Sequence, residues 1–273
     1  MTAHGHGFAG DRAFGDQAAT YDRYRPGYPP ALYDLIRETC GAGPGTTAFE
    51  IGPGTGQATI DLLRLGIDAI HLFEPDERLA AILRDRMLPW ADDREITIDP
   101  RQFDDGDGDR ASFDFGAAAT VLHWLNQRTT LERAGALLRP GGWFASWWNV
   151  YGDPAAPDPF HEATRHILEP GTATVDPTLV QRMHFALDVA ARTNDLRSSG
   201  LFEPAIHHLF RWDLEMDADA AAGLYLTFPN VNRRPPDERD RVLDGLRKVI
   251  EDEFGGRIRR PILMPVYLAR RRG

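Results

Sequence analysis

The stretch TAFEIGPGTGQATIDLLRLGIDAIHLFEPD, residues 47–76, decides the fold. Its first residues, Thr47 to Gly52, read as a short buried strand in which Ala48, Phe49 and Ile51 supply the apolar side chains. Gly52, Gly54 and Gly56 follow as a G-x-G-x-G turn stiffened by Pro53, where the missing side chains let the chain turn tightly and a ligand approach the backbone. Gln57 to Leu65 is a helix closed by Gly66, Ala69 to Asp76 a second strand ending in acids, and ERLAAILRDRM (77–87) a second helix. Strand, glycine turn, helix, strand, helix is the βαβ rhythm of a doubly wound sheet.

The same rhythm continues outward. EITIDP (95–100) predicts a third strand, QFDDGDGDR (102–110) a loop, and FDFGAAATVLHW (113–124) a fourth strand running into a special loop. Thr129 to Leu138 is helical, and Pro140 to Trp143 turns the chain into a fifth strand, FASWWNV (144–150). Upstream, residues 1–16 read as a glycine-rich arm, with Pro29 and Pro30 opening a helix striped by Leu32, Leu35 and Ile36. Downstream, a turn-rich GDPAAPDP and the helical pattern LVQRMHFALDVAAR (179–192) predict an insertion over the strand ends. His207 to Leu214 returns as a strand, DADAAAGLYLTF (217–228) and PDERDRVLDGLRKVIEDEF (236–254) as helices. PILMPVYLARR (261–271) is an antiparallel last strand whose prolines predict a short ladder or an edge position. The expected division is an arm and lid helix over 1–39, a ligand-binding core over 40–150, a cap over 151–196, and completion of the sheet over 197–273.

Composition narrows the function. The formal charge is −10, with 31 Lys and Arg against 41 Asp and Glu, which opposes binding to nucleic acid or anionic lipid. The densest basic group, Arg270 to Arg272, reads as a solvated tail. Cys40 is the single cysteine, so neither an intrachain disulfide nor a cysteine-based zinc cluster can form. No leader or membrane-spanning run is evident, which predicts a cytoplasmic protein. His4 and His6 flank one glycine and predict no metal site, and adjacent His207 and His208 on a strand face opposite sides; no metal is expected. The glycine turn departs from the dinucleotide fingerprint G-x-G-x-x-G, because Gln57 stands where the third glycine would fall.

Taken together, YDRYRPGYP, FEIGPGTGQAT, LFEPD, FDFGAAATVLHWL and LLRPGGWFASWW resemble, in order, the motifs of class I S-adenosylmethionine-dependent methyltransferases. The resemblance is nearest to bacterial small-molecule enzymes with a histidine-tryptophan pair after the fourth strand. It implies an α/β fold: a doubly wound, seven-stranded mixed sheet, Rossmann-like, with a partly helical cap. It also implies S-adenosylmethionine as cofactor and S-adenosylhomocysteine as product. Glu50 and the turn Gly52, Pro53, Gly54 and Gly56 would hold the methionine end, Glu74 the ribose hydroxyls, and Pro75 would pack near the adenosine. Phe103 and Asp104 would receive adenine, with Asp105 the alternative to Asp104. Thr120 and His123 would lie near the sulfonium, and Tyr21, Tyr24 and Arg25 would belong to a lid.

A methyl on a sulfonium is already activated, so the protein's task is to position a nucleophile in line with it and to exclude water. His123 is the candidate catalytic residue; orienting the cofactor, binding the acceptor and accepting its proton are all open roles. Trp124, Trp148, Asn149, Tyr151, Arg211, Tyr225 and Phe228 are the candidate acceptor-binding residues. Strand alternation puts Trp147 and Trp148 on opposite faces, one in the core and one toward the pocket. The expected reaction is methylation of a small molecule, a secondary metabolite or a carboxylate or hydroxyl acceptor, with oxygen favoured over nitrogen or carbon. A peptide acceptor and a non-catalytic S-adenosylmethionine-binding protein are the alternatives. Oligomeric state is not legible.

Overall fold

The computed structural model describes residues 17–105, 111–153, 155–156, 158–168 and 185–273. The N-terminal arm with His4 and His6, residues 106–110 of the acidic loop, and residues 179–184 of the helical pattern in the cap fall outside the described residues. Five parallel strands carry the first half: β1 (Thr47–Ile51), β2 (Ala69–Phe73), β3 (Glu95–Asp99), β4 (Phe113–Ala119) and β5 (Leu138–Trp147). β6 (Val150–Tyr151), β7 (Ile206–Asp217) and β8 (Arg257–Arg270) complete the sheet. The order runs β3-β2-β1-β4-β5-β8, with β6 continuing the line of β5 along one edge of β8 and β7 on its other edge. This is the mixed, doubly wound sheet expected, with β8 as the antiparallel strand.

The helices follow from the same local signals. α1 (Ala18–Tyr24) precedes α2 (Pro30–Cys40), which begins at Pro30 and stops at left-handed Gly41. α3 (Gln57–Arg64) and α4 (Glu77–Met87) connect β1 to β2 and β2 to β3, with Asp76 capping α4. α5 (Gln127–Leu137), capped by Asn126, precedes β5. α6 (Pro159–Leu168) and α7 (Val189–Ser198) lie between β6 and β7, with α7 packed beside α5, and α8 (Ala218–Leu226), α9 (Pro229–Asn232) and α10 (Pro236–Phe254) lie between β7 and β8.

Side chains alternate across the strands into two apolar layers. On β1, Ala48 joins the layer under α2 and α3, whereas Phe49 and Ile51 join the layer that includes Leu131 and Ala134 of α5 and Leu196 of α7. Trp147 falls in the first layer and Trp148 in the second, as alternation predicts. A third cluster gathers α6, α8 and α10.

The last strand departs from expectation. Instead of a short or edge ladder, β8 pairs with β7 from Ile206↔Leu268 to Asp217↔Arg257, and with β5 from Trp143↔Arg270 to Trp147↔Val266. Its two prolines are tolerated because the N–H and C=O of a strand residue point to the same edge. The carbonyls of Pro261 and Pro265 accept from Gly152 and Trp148 at 2.8 and 3.4 Å. The missing donors therefore face the β5–β6 side, where that ladder is already interrupted, and the β7 ladder is untouched.

Candidate active site

Strand order reverses between β1 and β4, the switch point at which open α/β sheets bind ligands beyond the carboxyl ends of their strands. A cavity of about 220 Å³ lies there, lined by Gly52 and Gly54 after β1, Glu74 after β2, and Thr120, Val121, His123 and Trp124 after β4. Tyr21 and Arg25 enclose it from the N-terminal segment, Trp148, Asn149 and Tyr151 from the β5–β6 line, and Phe228 and Pro229 from the end of α8.

The glycine turn works as its sequence suggests. Gly52, Gly54 and Gly56 have φ of +60°, +63° and +92°, a region closed to most side chains. The turn directs the Gly54 N–H onto Oε2 of Glu74 (2.9 Å), while the Asp76 N–H donates to Oε1 (3.0 Å). These two bonds fix the carboxyl at the cavity wall. Burial outweighs them and pushes Glu74 up to about 7. Glu50, fully buried on the α3 side of β1, is likewise raised by desolvation to about 7, against a 2.7 Å hydrogen bond donated by the Thr59 hydroxyl.

A side recess is lined by Tyr21, Arg25, Tyr28, Pro53, Gln57, Thr120, Asn149 and Tyr151. Three of these side chains each hold a buried polar atom with no hydrogen-bond partner among the described residues: Arg25 Nε, Gln57 Nε2 and Asn149 Oδ1. Their other atoms are engaged. Arg25 Nη2 donates to the Thr227 carbonyl (3.3 Å), Asn149 Nδ2 donates to the Gly27 carbonyl (3.1 Å), and Gln57 Oε1 accepts from Thr55 (2.9 Å). Arg25 also lies over the Phe228 ring at 4.7 Å. On the opposite side, Ile51, Phe73, Pro75, Phe103, Val121 and Leu125 form a mainly apolar slot with Asp104 at its margin. The Asp104 carboxylate accepts from the Thr130 hydroxyl (2.9 Å), and burial raises its pKa.

Two features of the β4 loop bear on chemistry. Thr120 sits at φ +55°, a strained setting for a β-branched residue; its N–H donates to the Trp147 carbonyl and its hydroxyl pairs with Tyr28 at 3.0 Å. The Trp148 indole N–H donates to Nδ1 of His123 at 3.2 Å.

Several sequence-predicted residues lie off the cavity lining. Tyr24 packs its ring against Gly223 of α8, and Glu50 turns to Thr59. Gly56 opens α3 and adjoins Leu83, where an added Cβ would come within 2.8 Å. Arg211, on the outer strand β7, pairs with Asp153, and Tyr225 accepts from Arg260 Nη1 at 2.6 Å within a buried pair with Asp158. Sequence reasoning in turn passed over Tyr28, Gln57, Leu79, Val121 and Pro229. Gln57 was visible only as a departure from the dinucleotide fingerprint, and Tyr28 only as part of YRPGYP.

Comparison with known proteins agrees with this geometry. A family described as a methyltransferase domain matches residues 49–144, which span β1 to the middle of β5. An uncharacterized methyltransferase of Mycobacterium tuberculosis is 26% identical over 179 residues, covering 58% of this chain and 69% of that protein. An uncharacterized methyltransferase of Schizosaccharomyces pombe is 21% identical over 240 residues, 88% of each. Among solved structures, a Haemonchus contortus phosphoethanolamine N-methyltransferase, in complex with phosphomonomethylethanolamine and S-adenosylhomocysteine, superposes with a TM-score of 0.59 at 13% identity, covering 100% of this chain and 61% of that one. The methyltransferase-domain match spans the strands that carry the glycine turn, the acid after β2 and the switch-point cavity, and with the methyltransferase relatives it supports a class I S-adenosylmethionine-dependent methyltransferase.

Proposed function

We propose that this protein methylates a small molecule at an oxygen atom, taking the methyl from S-adenosylmethionine held across the cavity, recess and slot. The observation that carries the reading is the set of orphaned polar atoms in the recess. Two donors, Arg25 Nε and Gln57 Nε2, and one acceptor, Asn149 Oδ1, are buried there without partners among the described residues. Such groups are costly unless a ligand pairs them. The zwitterionic end of an amino acid supplies the complement: a carboxylate for the donors and an ammonium for the acceptor. Glu74, fixed by two backbone amides, is suited to accept from a ribose diol, and the slot between Pro75, Phe103, Val121 and Leu125 to take a flat base. Asn149, expected at the acceptor, is thereby assigned to the methionine end.

Bound S-adenosylmethionine supplies an activated methyl. The chain's own residues do the rest. Tyr21, Trp124, Trp148 and Phe228 wall the cavity and exclude water. Arg25 and His123 present hydrogen-bond donors on the same cavity, which favours an oxygen acceptor bearing negative charge. A small acceptor is favoured over a peptide by the cavity's volume of about 220 Å³, walled on one side by Tyr21 of α1 and by Phe228.

Calorimetric titration with S-adenosylhomocysteine, with NAD as control, tests the reading. Saturable binding of the first alone is expected, weakened about tenfold or more in Gln57→Ala by loss of a hydrogen bond to a charged group. Binding of NAD alone, or undiminished affinity in Gln57→Ala, would remove its basis.

A further inference from the structure

We infer that Trp148 is a positioning residue that holds His123 in a single neutral tautomer, making His123 a hydrogen-bond donor to the acceptor and not its base. The inference rests on reading the cavity as the methyl-transfer site.

An indole N–H can only donate. Its 3.2 Å bond to His123 Nδ1 therefore requires a lone pair on that nitrogen, which puts the ring hydrogen on Nε2. Trp148 is 1% exposed, and His123 is the partner its buried N–H reaches. The indole is also held edge-on by Tyr267 (centroids 6.1 Å apart, 78°) and Phe185 (5.8 Å, 61°), and Tyr267 is itself anchored by a 2.7 Å bond donated to the Ala186 carbonyl. A proton arriving at Nδ1 would displace the indole. A proton arriving at Nε2 would first require the other tautomer, with two N–H groups facing each other. Both routes leave a buried donor without its partner.

Among the described residues, the other titratable groups on the cavity give no better base. Glu74 is occupied by the Gly54 and Asp76 amides, Tyr151 is pushed up by burial, Tyr21 is a phenol, and Arg25 is a permanent cation. The site therefore fits an acceptor whose attacking atom already lacks a proton, an oxyanion of the carboxylate class. In that step the acceptor oxygen forms a bond to the methyl carbon while the carbon–sulfur bond breaks and its electron pair leaves with sulfur. The oxyanion's negative charge and the sulfonium's positive charge cancel, and no proton moves. His123 Nε2–H then serves to orient the oxyanion.

The test is long-range 1H–15N NMR on protein labelled in its nine histidines, with His123 assigned by His123→Gln. The wild-type spectrum at neutral pH is expected to show His123 with an unprotonated Nδ1 and a protonated Nε2. In Trp148→Phe, which keeps an aromatic ring but lacks the donor, this single-tautomer pattern should be lost, the two nitrogens moving toward averaged shifts. A protonated Nδ1 in the wild type would overturn the inference, and that spectrum decides the matter even if the variant fails to fold. An unchanged His123 pattern in folded Trp148→Phe would overturn it equally. Titration of the same samples with S-adenosylhomocysteine separates the two levels: failure of the wild type to bind would defeat the methyl-transfer reading while leaving the tautomer result in force.

Discussion

Helix α6 is joined to the sheet by a buried ion pair whose removal has a calculable cost. Arg260, on β8, is 4% exposed and Asp158, at the start of α6, is 9% exposed. Asp158 Oδ2 accepts from Arg260 Nη2 at 2.5 Å and from Nε at 3.1 Å, while Oδ1 accepts from the His161 N–H at 3.0 Å and so caps the first turn of α6. Asp158→Ala removes both functions. Leaving one member of a buried pair uncompensated costs about 3–5 kcal/mol, and losing the cap adds about 1 kcal/mol. The bond from Arg260 to Tyr225 persists and keeps the total toward the low end, about 4 kcal/mol. For a chain of this length that corresponds to a drop in Tm on the order of 10 °C. Urea unfolding followed by tryptophan fluorescence would measure it. The double variant Asp158→Ala/Arg260→Met should recover most of the loss, because it removes the stranded charge and leaves only the cap and packing defects. A single variant costing under about 1 kcal/mol, or a double variant no more stable than the single, would refute the claim that Arg260 depends on Asp158 for its burial.

Three further outcomes follow from the site. In Gly223→Ala, a Cβ would lie 2.5 Å from the Tyr24 ring, so α1 should be pushed off α8; S-adenosylhomocysteine affinity should fall several-fold, at a stability cost of about 1–3 kcal/mol, measured by calorimetry and thermal unfolding. Glu50 and Glu74 are both raised from 4.5 to about 7, so protonation favours the folded, ligand-free chain. That contribution is complete below 4.5, is lost as pH rises through 7, and amounts to at most about 3 kcal/mol per carboxyl. Unfolding free energy that is flat or rising between those pH values would contradict it. Because the ionised form of Glu74 is the better acceptor for a diol, S-adenosylhomocysteine should bind more tightly as pH rises through 7 in the wild type, and this dependence should shrink in Glu74→Gln.

The fold was legible because its signals are local. Each early strand is a short apolar run, each turn is marked by Gly, Pro, Asp or Asn, and the acid after β2 follows directly from strand length. Of the residues lining the cavity from β1 and β4, Gly52, Gly54, Thr120, His123 and Trp124 were legible for the same reason, though Val121 was not: a residue just past a strand's carboxyl end lies near the switch point wherever its side chain then turns. What the sequence did not disclose depends on contacts far along the chain. Tyr24 and Tyr225 both read as site aromatics, yet one is seated against Gly223 and the other against Arg260, 199 and 35 residues away. Arg211 fitted an acceptor carboxylate and an internal salt bridge equally well in the sequence, because its partner, Asp153, lies 58 residues upstream. Gln57 was undervalued for a chemical reason. A glutamine at the start of a helix carries no motif, and its worth appears only once Thr55 is seen to satisfy its oxygen while its nitrogen is left buried in the recess.

The prolines of β8 show how a feature read as a limit on the fold instead builds the site. Opposite Pro265 stands Trp148, and a regular antiparallel pair there would exchange two backbone hydrogen bonds. Proline can complete only one, the Trp148 N–H to the Pro265 carbonyl, and that bond is long at 3.4 Å. β5 therefore ends at Trp147, and pairing with β8 resumes only at Val150. The two residues released, Trp148 and Asn149, both line the cavity: one supplies the donor that fixes His123, and the other reaches from the strand end to the Gly27 carbonyl of the N-terminal segment. A residue with an N–H at 265 would favour an unbroken ladder across this gap and draw Asn149 into it. The interruption is local, because the β7 ladder on the other edge runs through the same prolines without a break. The cavity thus owes its strand-side wall to the one residue type that cannot finish a β-ladder.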